Sequence, residues 1–372
     1  MEGARVLIVA EIGTAHGGNP QKAMELIDAS VRAGADCVKF QWVYAHEILH
    51  PATGTVPLPG GDTRLYDVFK SLECPPEFYA DAMSYARSRG MKFMCSPFGI
   101  QSLEELISLN PDAVKIASPE LNHYPLLRRL ARILECLRVQ PKVIVSSGVS
   151  TLADIEAALG ILRPVCAGIA LLHCITAYPA PEDEYNLRLI ETLGRVFGIQ
   201  TGVSDHSLDP ALVPVLSVCM GAKIVEKHIT LSRNGDGLDD PVALEPEAFS
   251  RMSRAVRKAE SIIAEDRGDV SRALEDVRQG YGAERVARVL GDGVKRFARA
   301  EEGNYGRTNR SLHYTRPLKK GSVADEGDYA ALRTEKILSP GISPRFFDFV
   351  RGKRLTRDVA DGDGIQLEDF CQ

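Results

Sequence analysis

The amino-acid sequence predicts an α/β protein, a (β/α)8 TIM barrel followed by a small β-rich domain. Eight short apolar runs are each followed by a stretch with helical periodicity, and together they fill about 265 residues, a usual length for such a barrel. The runs are almost continuously apolar, which is typical of parallel strands covered on both faces. Eight strand–helix units of this kind are the number that closes a barrel.

The individual elements can be placed along the chain. Helix Pro20–Ala33 is stopped by Gly34, and helix Thr151–Leu162 opens with Thr151 as its N-cap and Asp154 three residues later. The predicted strands are Val6–Ile12, Cys37–Trp42, Lys92–Phe98, Ala113–Ser118, Lys142–Gly148, Ile169–Ile175, Gln200–Ser204 and Ala222–Ile229.

A doubly wound open sheet is the alternative architecture. Such a sheet normally carries the pattern GxGxxG after its first strand, whereas residues 13–18 read GTAHGG. The barrel is therefore preferred for residues 1–265. Residues 266–308 are rich in Arg, Asp and Glu and suit a linker helix and loop. Residues 309–372 form short β-like pieces broken by Gly and Pro, which indicates a second domain.

Composition argues against several classes of protein. The 372 residues carry a net charge of −5, so there is no excess of positive charge for binding nucleic acid. The N-terminus lacks the features of a signal peptide, and no apolar run approaches the length of a membrane-spanning helix. The eight cysteines are scattered without a CxxC pair, so we expect buried, reduced thiols and a cytoplasmic location.

Polar side chains follow the predicted strands, at the end where barrels of this type place their chemistry. Lys39 and Lys115 lie in strands that are otherwise apolar, so each must be paired or must face a polar pocket. Two converging lysines suggest a site for phosphate or carboxylate, with Ser96, Ser118 and Ser146 as hydroxyl donors. The complete set at these ends is Glu11, Lys39, Gln41, Ser96, Lys115, Ser118, Glu120, Ser146, Ser147, Tyr178, Ser204, Asp205, His206, Lys227 and His228.

Two histidines follow neighbouring strands and allow two interpretations. His206 and His228, with a nearby carboxylate, could share one divalent ion that acts as a Lewis acid. They could equally be hydrogen-bonded to neighbouring carboxylates without any metal. The residues alone leave both interpretations open.

Taken together, these residues resemble the sialic acid synthase family, which includes the synthases of N-acetylneuraminic, legionaminic and pseudaminic acids. The small domain is similar to the antifreeze-like (SAF) domain of these enzymes, from Asn309-Arg310-Ser311-Leu312 through Gly341 to Asp369. The barrel motifs occur in the family's order and at similar spacing: residues 10–13 (AEIG), 38–41 (VKFQ), 115–118 (KIAS), 146–148 (SSG), 173–174 (HC) with 178–179 (YP), 204–206 (SDH) and 226–228 (EKH).

The resemblance implies an enzyme that condenses phosphoenolpyruvate with a sugar aldehyde, in a domain-swapped homodimer whose small domain covers the partner's active site. It implies that His206 and His228 hold Mn²⁺ or Mg²⁺ and that Glu11 lies near the reacting carbons. The implied phosphoenolpyruvate ligands are Lys39, Ser96, Lys115, Ser118 and Ser146. The implied acceptor ligands are Gln41, Glu120, Tyr178 and Asp239.

The sequence departs from the family pattern mainly on the acceptor side. Ser339 precedes Pro340-Gly341 where many members have Arg-Pro-Gly, so Arg333 and Lys336 are the candidate substitutes for that arginine. The acceptor is therefore an N-acetylmannosamine-like hexose or a different aldehyde. Two other functions compete with the synthase: a metal-free aldolase with a Schiff-base lysine, and a catalytically silent sugar-binding or regulatory protein.

Overall fold

A computed structural model describes residues 5–58, 61–235, 237–335 and 337–370. Eight parallel strands form a closed barrel in the order β1-β10-β9-β8-β7-β6-β5-β2. This confirms the predicted barrel, and each predicted strand matches an observed one to within two residues at either end. The barrel strands are β1 (Leu7–Gly13), β2 (Cys37–Trp42), β5 (Lys92–Pro97), β6 (Ala113–Ile116), β7 (Lys142–Ser146), β8 (Ile169–Cys174), β9 (Gln200–Asp205) and β10 (Ile224–His228).

Helices cover the outside of the barrel and begin where the capping chemistry predicts. The Asn19 side chain accepts hydrogen bonds from the backbone N–H groups of Gln21 and Lys22 at the start of the first helix. Thr151 and Asp154 form the reciprocal capping box expected at the seventh. The helices are α1 (Pro20–Arg32), α2 (Ala45–Ile48), α3 (Leu65–Ser71), α4 (Pro76–Ser88), α5 (Ile100–Ser108), α6 (Tyr124–Cys136), α7 (Leu152–Leu162), α8 (Leu189–Phe197), α9 (Leu212–Cys219) and α10 (Pro246–Glu265).

A short hairpin interrupts the strand–helix alternation. Strands β3 (Thr55–Leu58) and β4 (Gly61–Arg64) pair antiparallel between β2 and α3. Our sequence analysis did not predict this hairpin.

The lower half of the barrel interior is an apolar floor. Alternate residues of a strand point to opposite faces, so every barrel strand except β9 contributes one or two side chains to this inner layer. Gly202 of β9 leaves room there, since a Cβ at this position would overlap the Ile224 carbonyl oxygen and crowd Leu172. The floor consists of Leu7, Val9, Cys37, Met94, Ala113, Ile144, Ala170, Leu172 and Ile224.

The segment after the barrel contains two helices, α11 (Ser271–Tyr281) and α12 (Ala283–Leu290), which are separated at Gly282 with φ +84°. Ala273 of α11 packs against Cys219 and Ile262 of the barrel helices α9 and α10. This segment is therefore packed on the barrel rather than extended away from it.

The predicted small β-rich domain is confirmed. Strands β11 (Arg310–Tyr314) and β12 (Tyr329–Arg333) pair antiparallel, and a short helix α13 (Phe347–Val350) follows. The domain has its own apolar core, which contains Leu312, Tyr314 and Ile365. His50, in the loop after α2, lies 2.9 Å from Asp361, so the small domain contacts the barrel of the same chain.

The seven cysteines within the described ranges are free thiols. Five are buried, but Cys136 is exposed at the last residue of α6, which corrects the expectation that all are buried. Cys371 lies outside the described residues. No helix in the described part of the chain combines the length and apolar character needed to cross a bilayer.

The apolar floor generates a stability prediction. We expect Gly202→Ala to destabilise the protein by about 1–3 kcal/mol, because the new methyl group forces backbone to move in a close-packed layer. The measurement is thermal unfolding followed by circular dichroism. Gly160→Ala in α7 is the control, since its Cβ would meet no atom within 4 Å. An unchanged midpoint for Gly202→Ala would contradict the assignment.

Candidate active site

Directly above the floor, the next inward-facing side chains are polar. In β1 and β2, for example, Glu11 and Lys39 stand two residues after the floor residues Val9 and Cys37. They open onto a cavity of about 50 Å³. Eleven of the polar residues predicted at the strand ends line it: Glu11, Lys39, Gln41, Ser96, Lys115, Ser118, Ser146, Tyr178, Ser204, His206 and His228. The rest of the wall consists of Phe98, Ala117, Pro119, Cys174, Thr176 and Glu226.

A lysine between two carboxylates occupies one side of the cavity. The Lys39 ammonium lies 2.7 Å from Glu226 and 3.4 Å from Glu11, and Gln41 donates a 2.8 Å hydrogen bond to Glu11. Burial opposes the charge on Lys39, but the two carboxylates outweigh burial and raise the pKa of this ammonium. The charge of Lys39 is therefore already balanced within the protein.

Glu226 is a functional candidate that our sequence analysis missed. Burial opposes its ionisation, but Lys115 and Lys39 outweigh burial and lower the pKa of its carboxyl. Ser204 donates a further 2.8 Å hydrogen bond to it. The signal was available, because Glu226 stands two residues before His228 on the same strand and therefore shares its inward face.

Lys115 provides the unbalanced cation of the cavity. Its ammonium donates hydrogen bonds to the Ser146 hydroxyl at 2.6 Å and the Ile116 carbonyl at 3.3 Å. Among the described residues, no carboxylate oxygen lies within ion-pair distance of it. Burial outweighs the attraction of the Glu226 carboxylate and, aided by the charge of Lys39, lowers the pKa of Lys115 to about 8. This side of the cavity is suited to an anion.

Further hydroxyl groups line the same cavity. The Ser118 hydroxyl accepts a 3.0 Å hydrogen bond from the Gly148 N–H. The Ser96 and Thr176 hydroxyls are buried and make no hydrogen bond within the described part of the chain. A side chain at Gly148 would collide with Thr176 and Ser118. Our sequence analysis did not select Thr176, which lies beyond the end of β8.

His206 and His228 face each other on the side of the cavity away from Lys115. Their ring centroids are 5.5 Å apart, and burial lowers the pKa of both, so both imidazoles are neutral at physiological pH. Nδ1 of His206 donates to the Ile175 carbonyl at 2.7 Å, which leaves the Nε2 lone pair available. Tyr178 stacks on His206 at 4.2 Å and is half exposed at the cavity mouth.

The carboxylate beside the histidines is not the one next to them in sequence. Asp205 points outward and pairs with Lys227 at 2.5 Å, because both occupy the opposite face of their strands. Asp239 instead lies 3.6 Å from Nδ1 of His228. In the described ranges, no group of three or more His, Cys, Asp or Glu side chains is arranged to hold a metal ion. Two neutral imidazoles nevertheless fit a site completed by substrate or water ligands.

Glu120 and Arg333 lie behind the cavity wall. Glu120 is fully buried and accepts hydrogen bonds from Arg310 at 2.8 Å and Arg333 at 2.9 Å, both from the small domain. Burial lowers the pKa of Arg310 to about 10. The Arg333 guanidinium also lies 5.5 Å from the ring of Phe98, a wall residue. Lys336 lies outside the described residues.

Comparison with known proteins places the chain in a family. The NeuB family model matches residues 26–267, and the SAF domain model matches residues 309–370. The chain belongs to the NeuB family. This confirms the predicted family and small domain, and the prediction that the protein is an enzyme.

Relatives of this NeuB family member align over nearly its whole length. The spore coat polysaccharide biosynthesis protein SpsE of Bacillus subtilis is 32% identical over 99% of this chain and 94% of its own. The N,N'-diacetyllegionaminic acid synthase of Legionella pneumophila is 30% identical over 97% of this chain and 93% of its own. The crystal structure of SpsE superposes with a TM-score of 0.81, at 31% identity, over 100% of this chain and 96% of that one.

The Glu120 cluster generates a second stability prediction. We expect Glu120→Ala to cost about 3–5 kcal/mol, because it leaves two buried guanidinium groups without their carboxylate. The control is Glu104→Ala, which breaks an exposed pair with Arg129 and should cost at most about 1 kcal/mol. The stability of both variants is measured by thermal unfolding and by the protease susceptibility of the small domain. Equal effects of the two substitutions would contradict the prediction.

Proposed function

We propose that the protein condenses phosphoenolpyruvate with a sugar aldehyde to give a nonulosonic, 2-keto-3-deoxy sugar acid and phosphate. The observation that supports this best is the Lys115 ammonium, which, over the described ranges, has no carboxylate within ion-pair distance and shares one cavity with several hydroxyls and two neutral imidazoles. The names of the relatives also support it, since they include N,N'-diacetyllegionaminic acid, pseudaminic acid and N-acetylneuraminate-9-phosphate synthases.

In this proposal Lys115 binds the anionic end of phosphoenolpyruvate. A phosphate group needs both positive charge and several hydrogen-bond donors. Lys115 supplies the charge, and the donors are the hydroxyls of Ser96, Ser118, Ser146 and Thr176. Lys39 contributes less net charge than its position predicts, because Glu226 and Glu11 neutralise it. Its role is to fix these two carboxylates beside the reacting carbons.

We propose His206 and His228 as the ligands of Mn²⁺ or Mg²⁺. Both are neutral, and the hydrogen bond from His206 to the Ile175 carbonyl fixes the tautomer, as in histidines that bind metals. When bound, the ion would polarise the carbonyl oxygen of the acceptor aldehyde. The acceptor then extends toward the mouth, where Gln41, Tyr178 and Asp239 offer hydrogen-bonding groups.

Glu11 acts at the carbon that becomes cationic. As C3 of phosphoenolpyruvate attacks the aldehyde carbon, a C–C bond forms and positive charge develops at C2. The Glu11 carboxylate stabilises that charge, and water adds at C2 and transfers a proton to Glu11. The new hydroxyl of the tetrahedral intermediate then loses its proton, the C2=O bond forms, and the bond between C2 and the phosphate oxygen breaks. The two protons of the added water end on the former aldehyde oxygen and on the phosphate, so the products are the keto acid and phosphate.

The assembly remains a separate prediction. The resemblance implies a domain-swapped homodimer, whereas the small domain of the single chain contacts its own barrel through Glu120, Arg310 and Arg333. A swapped dimer would make the same contacts between two chains. In either arrangement, the small domain approaches the cavity behind Phe98.

The central test is phosphate release from phosphoenolpyruvate with a panel of aldehydes and Mn²⁺. The panel contains N-acetylmannosamine, mannose and diacetamido hexoses. We expect release with at least one acceptor, abolition by exhaustive chelation, and recovery when Mn²⁺ is restored. His206→Ala should be inactive, whereas His46→Ala, on an exposed histidine outside the cavity, should be unaffected. Full activity after chelation would overturn the metal assignment.

A Schiff-base aldolase is the second candidate, because the lowered pKa of Lys115 suits an amine nucleophile. Borohydride in the presence of pyruvate separates the two functions. The synthase predicts no covalent adduct on Lys115. A trapped adduct together with absent phosphate release would favour the aldolase.

The pKa of Lys115 generates a pH prediction. The ammonium binds the anion only while protonated, so kcat/KM for phosphoenolpyruvate should fall as pH rises through about 8. Lys115→Arg should remove this limb, since arginine stays charged. Lys115→Met should raise the KM for phosphoenolpyruvate at least tenfold, whereas Lys142→Met, on an exposed lysine of β7, should not. An unchanged KM in Lys115→Met would remove Lys115 from the anion site.

A further inference from the structure

A buried carboxylate in the segment between barrel and small domain is not used by the proposed reaction. Glu301 is 1% exposed and ends a short 3-10 helix, Arg299–Glu301. Its Oε1 accepts hydrogen bonds from two backbone N–H groups, that of Thr176 at 2.6 Å and that of Val149 at 2.9 Å. These two residues belong to the loops after β8 and β7. One carboxylate oxygen therefore joins two neighbouring active-site loops.

The carbonyl groups of those two residues are also bound, one by this segment and one by Asn309 at the start of the small domain. The Asn304 amide donates to the Thr176 carbonyl at 3.1 Å, and the Asn309 amide donates to the Val149 carbonyl at 2.9 Å. Both loop residues are therefore bound through their N–H and their C=O. We call Glu301, Asn304 and Asn309 the linker clamp.

The backbone at this point needs such support. Val149 is a β-branched residue at φ +43°, a conformation that L-residues rarely adopt. It follows Gly148, where the two loops approach so closely that no side chain fits between Gly148 and the Thr176 and Ser118 hydroxyls. Strained backbone of this kind persists only where surrounding contacts hold it. The linker clamp provides those contacts from outside the barrel.

The clamped residues adjoin the anion side of the cavity. The Gly148 N–H donates to the Ser118 hydroxyl at 3.0 Å, and Ser146, two residues earlier, is hydrogen-bonded to Lys115. Thr176 brings its unpartnered hydroxyl to the same place. A shift of either loop would therefore move hydroxyls that line the cavity together with the Lys115 ammonium.

We propose that Glu301 is a positioning residue for the phosphoenolpyruvate site. By holding Val149 and Thr176 together, it sets the spacing of the hydroxyls that receive the phosphate. This inference rests on the proposed function. It also links the anion site to the small domain, because the clamp lies in the chain that leads directly into β11.

Kinetics of Glu301→Ala test the proposal, with Glu302→Ala as the matched control on the exposed neighbouring residue. We expect Glu301→Ala to raise the KM for phosphoenolpyruvate by about ten- to a hundredfold, since it removes two hydrogen bonds to a carboxylate. The KM for the acceptor should change by less than about threefold, because a shift of the loops on the anion side should leave the acceptor-binding residues in place. The KM of Glu301→Gln for phosphoenolpyruvate should lie between those of the wild type and Glu301→Ala, because the glutamine amide oxygen can still accept both hydrogen bonds. Equal increases for both substrates, or no increase, would overturn the proposal.

Amide hydrogen exchange tests the linker clamp independently of catalytic activity. In the full chain, peptides containing Val149 and Thr176 should exchange faster in Glu301→Ala than in the wild type or in Glu302→Ala. If Glu301→Ala fails to fold, Glu301→Gln and Asn304→Ala replace it. Their exchange in the same peptides should still be faster than in the wild type, by less than is expected for Glu301→Ala. Unchanged exchange in these variants would overturn the clamp.

Failure of the clamp and failure of the proposed function give different results. A wild-type protein that releases no phosphate with any acceptor refutes the function, and the exchange data then decide the clamp alone. An active wild type whose Glu301→Ala variant keeps its KM for phosphoenolpyruvate refutes the inference and leaves the function standing.

Discussion

The alternation of side chains along closed, parallel strands is the constraint on which this protein depends. Each barrel strand places one residue in an apolar floor and the next inward residue, two positions later, in a polar layer. Ionisable groups therefore stand directly on an apolar surface, where an unpaired charge is costly. Lys39 meets this cost by lying between Glu11 and Glu226, which leaves Lys115 as the cation available to a ligand.

The same cost shapes the contact between the two domains. Glu120 is buried where the barrel meets the small domain, and it receives two guanidinium groups, those of Arg310 and Arg333. Removing either the carboxylate or the guanidinium groups would leave an unpaired charge in a buried interface. The small domain is thus held by an ionic contact directly behind the cavity wall, while the linker clamp holds the β7 and β8 loops.

Much of the barrel and of its site could be predicted from local patterns. Continuous apolar runs located the eight strands, and the ends of those strands located eleven side chains of the cavity. Asp205 was among the polar side chains expected at the strand ends, but period-two alternation turns it away from His206 and toward Lys227. Long-range contacts could not be predicted at all. The bonds of Glu120 to Arg310 and of Glu301 to Val149 join residues whose proximity only the folded chain establishes.

The cavity wall includes one group with a distinct chemical consequence. The Cys174 thiol lines the cavity, and burial raises its pKa to about 11, so it remains protonated near neutral pH. Only the thiolate is an effective nucleophile toward electrophilic carbon. A reactive carbonyl compound can therefore enter beside this sulfur without being diverted into a hemithioacetal. The same desolvation lowers the pKa of the Lys115 ammonium and keeps the sulfur on the cavity wall protonated and chemically inert.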